Sequence, residues 1–370
     1  MGKVLILYST AGIGHKKAAL AVKEAFDRSG RGDEAVLQDA LDYTNNFFRV
    51  SYGAIYLFLV KYLPTLWGFF YYVLDNPIVY ALVRPLRRLN NYLNSKKLVE
   101  FLLTTKPKTV IVTHFFPSEV VDNLKKKGLL DTRLISVITD YRSHLFWLSK
   151  YVDFYIAGSD YTKDDLLRRG VPEERIKVFG IPCASSFSRE HQTGAICRKA
   201  GMEPGKKTIF ILGGGFGVGP IKGITLSLDK AKEDFQAIVV CGYNAKLYNA
   251  VKKAARRASH RFRVFGFVDN IDELMAASDV LVSKSGGITV SEALNANLPM
   301  IVVSPIPGQE MRNYDFLKKN HAAAKIKCPG DIVRVARELF DTDKLETLKR
   351  NVKKIRLVDS AERIMHETDD

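Results

Sequence analysis

Cysteine is scarce and scattered: Cys183, Cys197, Cys241 and Cys328 form no C-x-x-C pair, so neither a zinc site nor a disulfide framework is encoded. That usage fits a reducing, cytoplasmic setting. Long apolar runs are also missing. The longest uncharged run of the most aromatic region, residues 62–74, has 13 residues and contains Pro64, whereas a membrane-spanning helix needs about 20. The amino terminus holds one lysine and then only VLIL before polar residues. That is too short for a signal-peptide core and reads as a first buried strand. The only D-x-D, Asp341-Thr342-Asp343, falls between two C-terminal helical segments, where Asp343 reads as a helix cap and not as a metal ligand. Acidic residues are outnumbered, 40 against 56 basic, giving a net charge of +16 and a pI near 9.5. This excess calls for an anionic partner: nucleic acid, an anionic lipid surface or a phosphorylated substrate. No RRM, KH or helix-turn-helix signature accompanies it, so nucleic acid rests on charge alone. Internal repeats and low-complexity tracts are absent.

What is present is an alternation of strand and helix signals over 370 residues, enough for two ordinary domains. KVLILYS, EAVLQD, TVIVTH, RLISVITD, DFYIAGS and IKVFGI read as strands of a first domain, residues 1–182. The hydrophobic pattern thins over 183–205, a linker. KTIFILGGG, AIVVCG, RFRVFGFV, VLVSKS and MIVVSP then give five strands of a second domain, 206–342. A charged helical segment, 343–370, follows and could pack back on the first domain. Alternation of this kind predicts parallel βαβ units. The expected fold is α/β, with two Rossmann-like domains facing each other across a cleft.

Residues 43–108 interrupt the first domain with an aromatic insertion that carries nine Lys/Arg against two acids. It reads either as a buried helix pair or as an interfacial element. In the second case Trp67, Phe69 and Phe70 enter the headgroup region while Arg84, Arg87 and Arg88 meet anionic lipid.

Three glycine-rich turns follow strands. TAGIGHKKAA has Lys17 where a dinucleotide fingerprint needs its third glycine, although Asp39 at the end of the second strand keeps NAD binding in play. It also sets His15 at the mouth of a helix, either as a proton acceptor for a hydroxyl or as a helix-capping or merely exposed residue. The second turn, LGGGFGVGPIKG, carries Gly214, Gly215 and Gly217 among more glycines than a tight turn needs. The third lies in the stretch 283–313, SKSGGITVSEALNANLPMIVVSPIPGQEMRN. There Ser285 leads into Gly286, Gly287 and Ile288, whose N–H groups could hold a phosphate at a helix N-terminus. Glu292 and Gln309 are candidate hydroxyl binders, Glu292 being alternatively a solvated helix carboxylate.

GGGFGVGPI, VVCGYNAKL, GFVDNIDELMAASDVLVSKSGGITVSEAL and PIPGQEMRN together resemble the donor half of the monogalactosyldiacylglycerol synthases and bacterial diacylglycerol glucosyltransferases, enzymes of the GT-B fold. In the first domain STAGIGHKKAA is similar to that family's glycine-histidine loop, and VITDYRSHLFWL resembles its Thr-Asp, His and Trp segment. The motifs keep their order over nearly the whole chain. Departures are local: Ala11 and Ile13 replace usual glycines, and Phe216 replaces a small or acidic residue. SGGITVSE is also similar to the related peptidoglycan lipid-intermediate N-acetylglucosaminyl transferase.

The resemblance implies inverting transfer of a hexose from a UDP-sugar to the hydroxyl of a membrane lipid, diacylglycerol above all, with His15 as general base. It implies that Glu292 grips the ribose, that Gln309 and Glu310 touch the sugar or the diphosphate, and that Phe267 and Val268 meet the uracil edge. Backbone N–H groups of the glycine turns would stabilise the departing diphosphate, so neither cofactor nor metal is expected. Asp140, His144 and Trp147, which follow a strand on the acceptor side, and His114, which ends another, could orient His15, bind the lipid headgroup or simply pack. The expected partners are a UDP-sugar, diacylglycerol or a related lipid, and an anionic membrane surface on the cytoplasmic side, to which the protein attaches peripherally. A UDP-N-acetylglucosamine 2-epimerase shares the architecture but needs no aromatic, basic insertion. The sequence leaves open the hexose, processivity and oligomeric state.

Overall fold

A computed structural model describes residues 3–10, 12–215 and 217–369. Ala11 and Phe216, two of the departures from the family pattern, lie outside the described residues. The chain divides into two compact units, one of Met1–Ala184, Ile306–Arg312 and Asp359–Asp370, the other of Ser185–Pro305 and Asn313–Val358.

In the first unit β1 (Val4–Tyr8), β2 (Ala35–Asp39), β3 (Thr109–Val112), β4 (Arg133–Val137), β5 (Phe154–Ala157) and β6 (Ile176–Val178) form a parallel sheet in the order β2-β1-β3-β4-β5-β6. Its helices are α1 (Ile13–Arg28), α2 (Asn46–Tyr62), α3 (Pro64–Leu74), α4 (Pro77–Asn94), α5 (Lys96–Thr105), α6 (Phe115–Lys126) and α7 (Asp160–Arg168). Successive residues of β1 point to opposite faces. Val4 and Ile6 pack with Ala19, Val22 and Phe26 of α1, while Leu5 and Leu7 pack with Leu98 and Leu102 of α5 and Phe116 of α6. Burial on both faces explains why these strands read as continuous apolar runs.

The second unit repeats the plan with β7 (Thr208–Leu212), β8 (Gln236–Val240), β9 (Arg261–Phe265), β10 (Val280–Ser283), β11 (Met300–Val303) and β12 (Ala323–Ile326), all parallel, in the order β12-β11-β10-β7-β8-β9. β12 is a sixth strand where the sequence pointed to five. Its AAKI offers two alanines and a lysine, little β-branched signal, and it is held by full pairing with β11. The later helices are α8 (Thr193–Lys199), α9 (Ile221–Leu228), α10 (Ala245–Ala255), α11 (Ile271–Ala276), α12 (Gly287–Asn295), α13 (Gln309–Lys319), α14 (Asp331–Phe340), α15 (Lys344–Ile355) and α16 (Ser360–His366).

Residues 183–205 are more than a linker: from Ser185 they cluster with the second unit, where Phe187 and Cys197 are buried. The segment 343–370 splits. α15 buries Leu345 and Leu348 in the core of the second sheet, whereas Ala361, Ile364 and Met365 of α16 join α1 under the first. Asp343 stands at the N-cap position of α15, but its side chain makes no capping bond. Next to two of the passages between units the backbone is left-handed at a non-glycine residue, Ser304 (φ 43°) and Asp359 (φ 60°), a costly conformation that surrounding structure must hold.

The insertion forms α2 to α5. No single helix among the described residues is long and apolar enough to cross a membrane; α2 and α3 reach the length and composition only together, and they bend by 117° at Leu63, where Pro64 starts α3. α4 has inverted polarity. Ile78, Leu82, Leu86, Leu89 and Leu93, one helical stripe, are each more than half exposed, while Tyr80 and Asn91 face inward.

Candidate active site

In each sheet the strand order reverses once, between β1 and β3 in the first and between β7 and β10 in the second. In open α/β sheets such switch points are where ligands bind, outside the carboxyl ends of the strands. The chain leaving β1 runs into α1, which carries His15 in its first turn, and the chain leaving β3 runs through Thr113 and His114 into α6. His15 Nδ1 lies 2.7 Å from the carbonyl oxygen of Thr113 and 3.1 Å from Thr139 Oγ1, and Thr113 Oγ1 donates to the carbonyl of His15 at 2.9 Å. A carbonyl only accepts, so the proton resides on Nδ1 and Nε2 keeps its lone pair. Burial lowers the pKa of His15 to about 4, against the Thr113 bond, which raises it. The imidazole is therefore neutral at pH 7, with one nitrogen ready to take a proton.

His114 packs edge-on against His15, ring centroids 4.5 Å apart, and its Nδ1 accepts from the N–H of Phe116 at 3.0 Å. Burial, with help from the neighbouring His15, depresses its pKa strongly. Trp147 is buried, its ring 6.4 Å from that of His15. His144 has both nitrogens engaged: Nδ1 accepts from Phe146 N and Nε2–H donates to the carbonyl of Tyr71 at 3.0 Å. It fastens α3 to the loop after β4 and has no nitrogen left for a ligand. Asp140, partly exposed, lies in the same loop. The carboxylate of Asp39 accepts from the N–H of Leu41 at 2.9 Å and from the hydroxyl of Thr10, so it is committed locally and not offered to a ribose.

The basic cluster of α4 turns inward, contrary to the surface role read from the sequence. Arg87 contacts Glu119 at 3.0 Å and the Tyr80 hydroxyl at 2.7 Å, with its guanidinium over the Phe146 ring, and Arg88 pairs with Glu119 and Asp122. The buried carboxylates of Glu119 and Asp122 in the middle of α6 demand these cations. Arg84 alone of the three makes no ion pair among the described residues. Trp67 also faces inward through its indole N–H, whereas Phe69 and Phe70 are exposed.

At the second switch point the turn after β7 is built from tight backbone bonds, Gly217 N to Gly214 O at 3.2 Å and Val218 N to Gly213 O at 2.9 Å. Gly214 and Gly217 have positive φ, and a Cβ on Gly217 would fall 2.2 Å from the carbonyl of Cys241. The facing turn after β10 leads through buried Ser285 to Gly286, the N-cap of α12, so Gly287 and Ile288 present first-turn N–H groups. Ser283 Oγ donates to the carbonyl of Leu212 at 2.9 Å and ties the two strand ends together. Glu292 is buried on α12 rather than solvated. Phe267 and Val268 lie just past β9. Phe267 is exposed and stacks on exposed Tyr243 with ring centroids 4.3 Å apart, and Tyr243 N donates to Gly215 O at 2.9 Å.

Gln309 and Glu310 open α13 in the short segment Ile306–Arg312 that belongs to the first unit. Glu310 Oε2 accepts from Ile306 N at 2.7 Å. Gln309 Nε2 donates to the Tyr56 hydroxyl at 2.8 Å and its Oε1 accepts from Trp67 Nε1 at 3.3 Å. Arg312 is buried against Asp75, which also takes a two-pronged bond from Arg169. Thr113, Tyr56 and Asp75 were not singled out in the sequence, and Thr139 and Arg312 lay unassigned within the VITDYRSHLFWL and PIPGQEMRN segments. None stands in a motif whose spacing implies its partner.

Two doubly wound parallel sheets, each with its candidate site at the switch point, are the GT-B fold. Acinetobacter baumannii MurG has the same architecture, with a TM-score of 0.64 at 12% identity, covering 99% of this chain and 98% of that one. Residues 15–183 match the family described as monogalactosyldiacylglycerol (MGDG) synthase, and 208–363 match the glycosyltransferase family 28 C-terminal domain. Two relatives are named processive diacylglycerol beta-glucosyltransferase. The one from Bacillus pumilus (strain SAFR-032) is 31% identical, covering 99% of this chain and 94% of that protein; the one from Bacillus subtilis (strain 168) is 30% identical with the same coverage. The chain belongs to the MGDG synthase and bacterial diacylglycerol glucosyltransferase family, and is a glycosyltransferase.

Proposed function

We propose that this protein transfers glucose from UDP-glucose to the free hydroxyl of diacylglycerol, with inversion, at a membrane surface. The observation that carries the reading is His15: an imidazole held by Thr113 in the tautomer that leaves Nε2 bare, at the carboxyl edge of the first sheet. The acceptor O–H gives its proton to that nitrogen while its oxygen forms a bond to the anomeric carbon. The bond from that carbon to the β-phosphate oxygen breaks on the opposite side, and UDP leaves with the electron pair. The N–H groups of Gly287 and Ile288 and the glycine turn at 213–219 stabilise the departing charge, and Glu292 holds the ribose. Backbone donors do this without a metal. The Bacillus relatives are named for β-glucosyl transfer; UDP-glucose is α-linked, and α to β is inversion.

Membrane attachment is supported by the exposed stripe of α4 together with Phe69 and Phe70 of α3. Apolar side chains, not the arginines, would enter the lipid. Incubation with diacylglycerol vesicles and, separately, UDP-glucose, UDP-galactose and UDP-N-acetylglucosamine, followed by mass spectrometry of the lipid, tests the reading. A glucosyl-diacylglycerol product is expected, with further glucose units if transfer is processive. No glycolipid from any donor would remove it.

A further inference from the structure

The segment Ile306–Arg312 is seated on the inner faces of α2 and α3 with little slack. Gly68 lies against Pro307 so closely that an added Cβ would come within 2.4 Å of the proline ring, and Gly308, at φ 103°, lies against Tyr71, where a Cβ would be 2.8 Å from the aromatic ring. Arg312 is locked at the far end by Asp75, the carbonyl of Ser143 at 3.1 Å and the Tyr71 ring. Between these anchors stands Gln309. Its two aromatic partners, Tyr56 from α2 and Trp67 from α3, meet edge to face with centroids 5.1 Å apart.

An indole N–H can only donate, so the amide atom facing Trp67 must be the oxygen and the atom facing Tyr56 the nitrogen. The flipped amide would set N–H against N–H. Each aromatic residue thus takes one bonding position, leaving one lone pair on Oε1 and one hydrogen on Nε2; among the described residues the amide makes no third hydrogen bond. The donor and the acceptor that remain are the kinds of group that hexose hydroxyls engage.

We infer that Tyr56 and Trp67 are positioning residues that fix the orientation of the Gln309 amide and through it the binding of the donor's hexose. The inference rests on the proposed UDP-glucose donor, and it assigns a role in sugar recognition to inner-face aromatics of the same helices whose outer face is apolar and exposed. It also moves Trp67 from lipid contact to donor positioning.

The test uses Trp67→Phe and Tyr56→Phe, which keep a ring and remove one hydrogen-bonding group each. UDP and UDP-glucose affinities are measured by calorimetry, and kcat and KM with diacylglycerol in detergent micelles, so that vesicle binding does not enter. Each variant is expected to weaken UDP-glucose binding and raise its KM roughly fivefold to tenfold, the worth of one or two positioned hydrogen bonds, with UDP affinity unchanged. In a Gln309→Met background, Trp67→Phe should add nothing further. Unchanged UDP-glucose affinity in Trp67→Phe, equal losses for UDP and UDP-glucose, or a Trp67→Phe effect that persists in Gln309→Met would each overturn the inference. A wild-type protein that neither binds nor turns over any UDP-hexose would instead defeat the proposed function before any variant was made.

Discussion

The carboxyl edge of the first sheet carries two imidazoles, half-buried His15 and buried His114, whereas that of the second carries glycine turns and the first N–H groups of α12. Topologically the two edges are alike, since each is the one place where strand order reverses. Chemically they differ in what desolvation does. Burial of imidazole removes the penalty-free charged state and yields a neutral proton acceptor. Backbone N–H groups cannot titrate, so a row of them at a helix start offers fixed partial positive charge at any pH. The first edge suits a step in which a proton moves, and the second suits a group whose negative charge grows.

The sharpest way to break this contrast is His15→Ala. Transfer should fall by roughly 10²–10⁴-fold, the usual worth of a positioned general base, while UDP affinity measured by calorimetry stays at the wild-type value. Loss of both together would mean that the two edges do not divide the work. Gly217→Ala addresses the second edge. Its Cβ would meet the Cys241 carbonyl and its φ of 58° is unfavourable for alanine, a strain of about 1–3 kcal/mol. UDP affinity should drop about tenfold or more, and the acid limb of the pH profile should not shift.

The exposed stripe provides a third comparison, between the two faces of α4. Leu82→Ala with Leu86→Ala removes apolar surface that is worth about 1.5–3 kcal/mol per leucine when fully buried. Vesicle sedimentation should show at least a tenfold loss of binding, with thermal stability retained because both residues face solvent. Binding that vanishes in high salt but tolerates these substitutions would favour an electrostatic surface instead.

The smallest and most graded effect concerns pH. His15 and His144 are held at about 4, each chiefly by burial, and His114 is also lowered; in the unfolded chain histidine titrates near 6.5. Below 6.5 the unfolded state binds protons that the folded state refuses. Stability is therefore full above about 6.5 and declines as pH falls toward 4. Urea unfolding between pH 7.5 and 4.5 should show the decline, and His144→Gln should lessen it. Over the same range His15 stays a neutral base, so kcat/KM, measured where the protein remains folded, should not drop at 6.5.

How much of this was legible beforehand varied with the range of the interaction. β12 was missed because AAKI takes its identity from β11, not from its own residues. The helix after β10 was read correctly because Ser-Gly-Gly before an apolar run is local turn chemistry. Arg87 and Arg88 were misread as a lipid-facing patch: their sequence neighbours are apolar, and the carboxylates that turn them inward, Glu119 and Asp122, lie about thirty residues away.

Local sequence was enough to specify eleven of the twelve strands found among the described residues, the glycine turns that close their carboxyl ends, and the presence of His15 in the first of those turns, because side-chain periodicity and backbone conformational preference act over a few residues. Tertiary structure alone decided the tautomer of His15, the clamp of Tyr56 and Trp67 on Gln309, and the burial of Arg312 against Asp75. Each of these is a hydrogen bond or ion pair between groups from 98 to 253 positions apart. Such partners are chosen by packing and desolvation, and neither is written in local spacing.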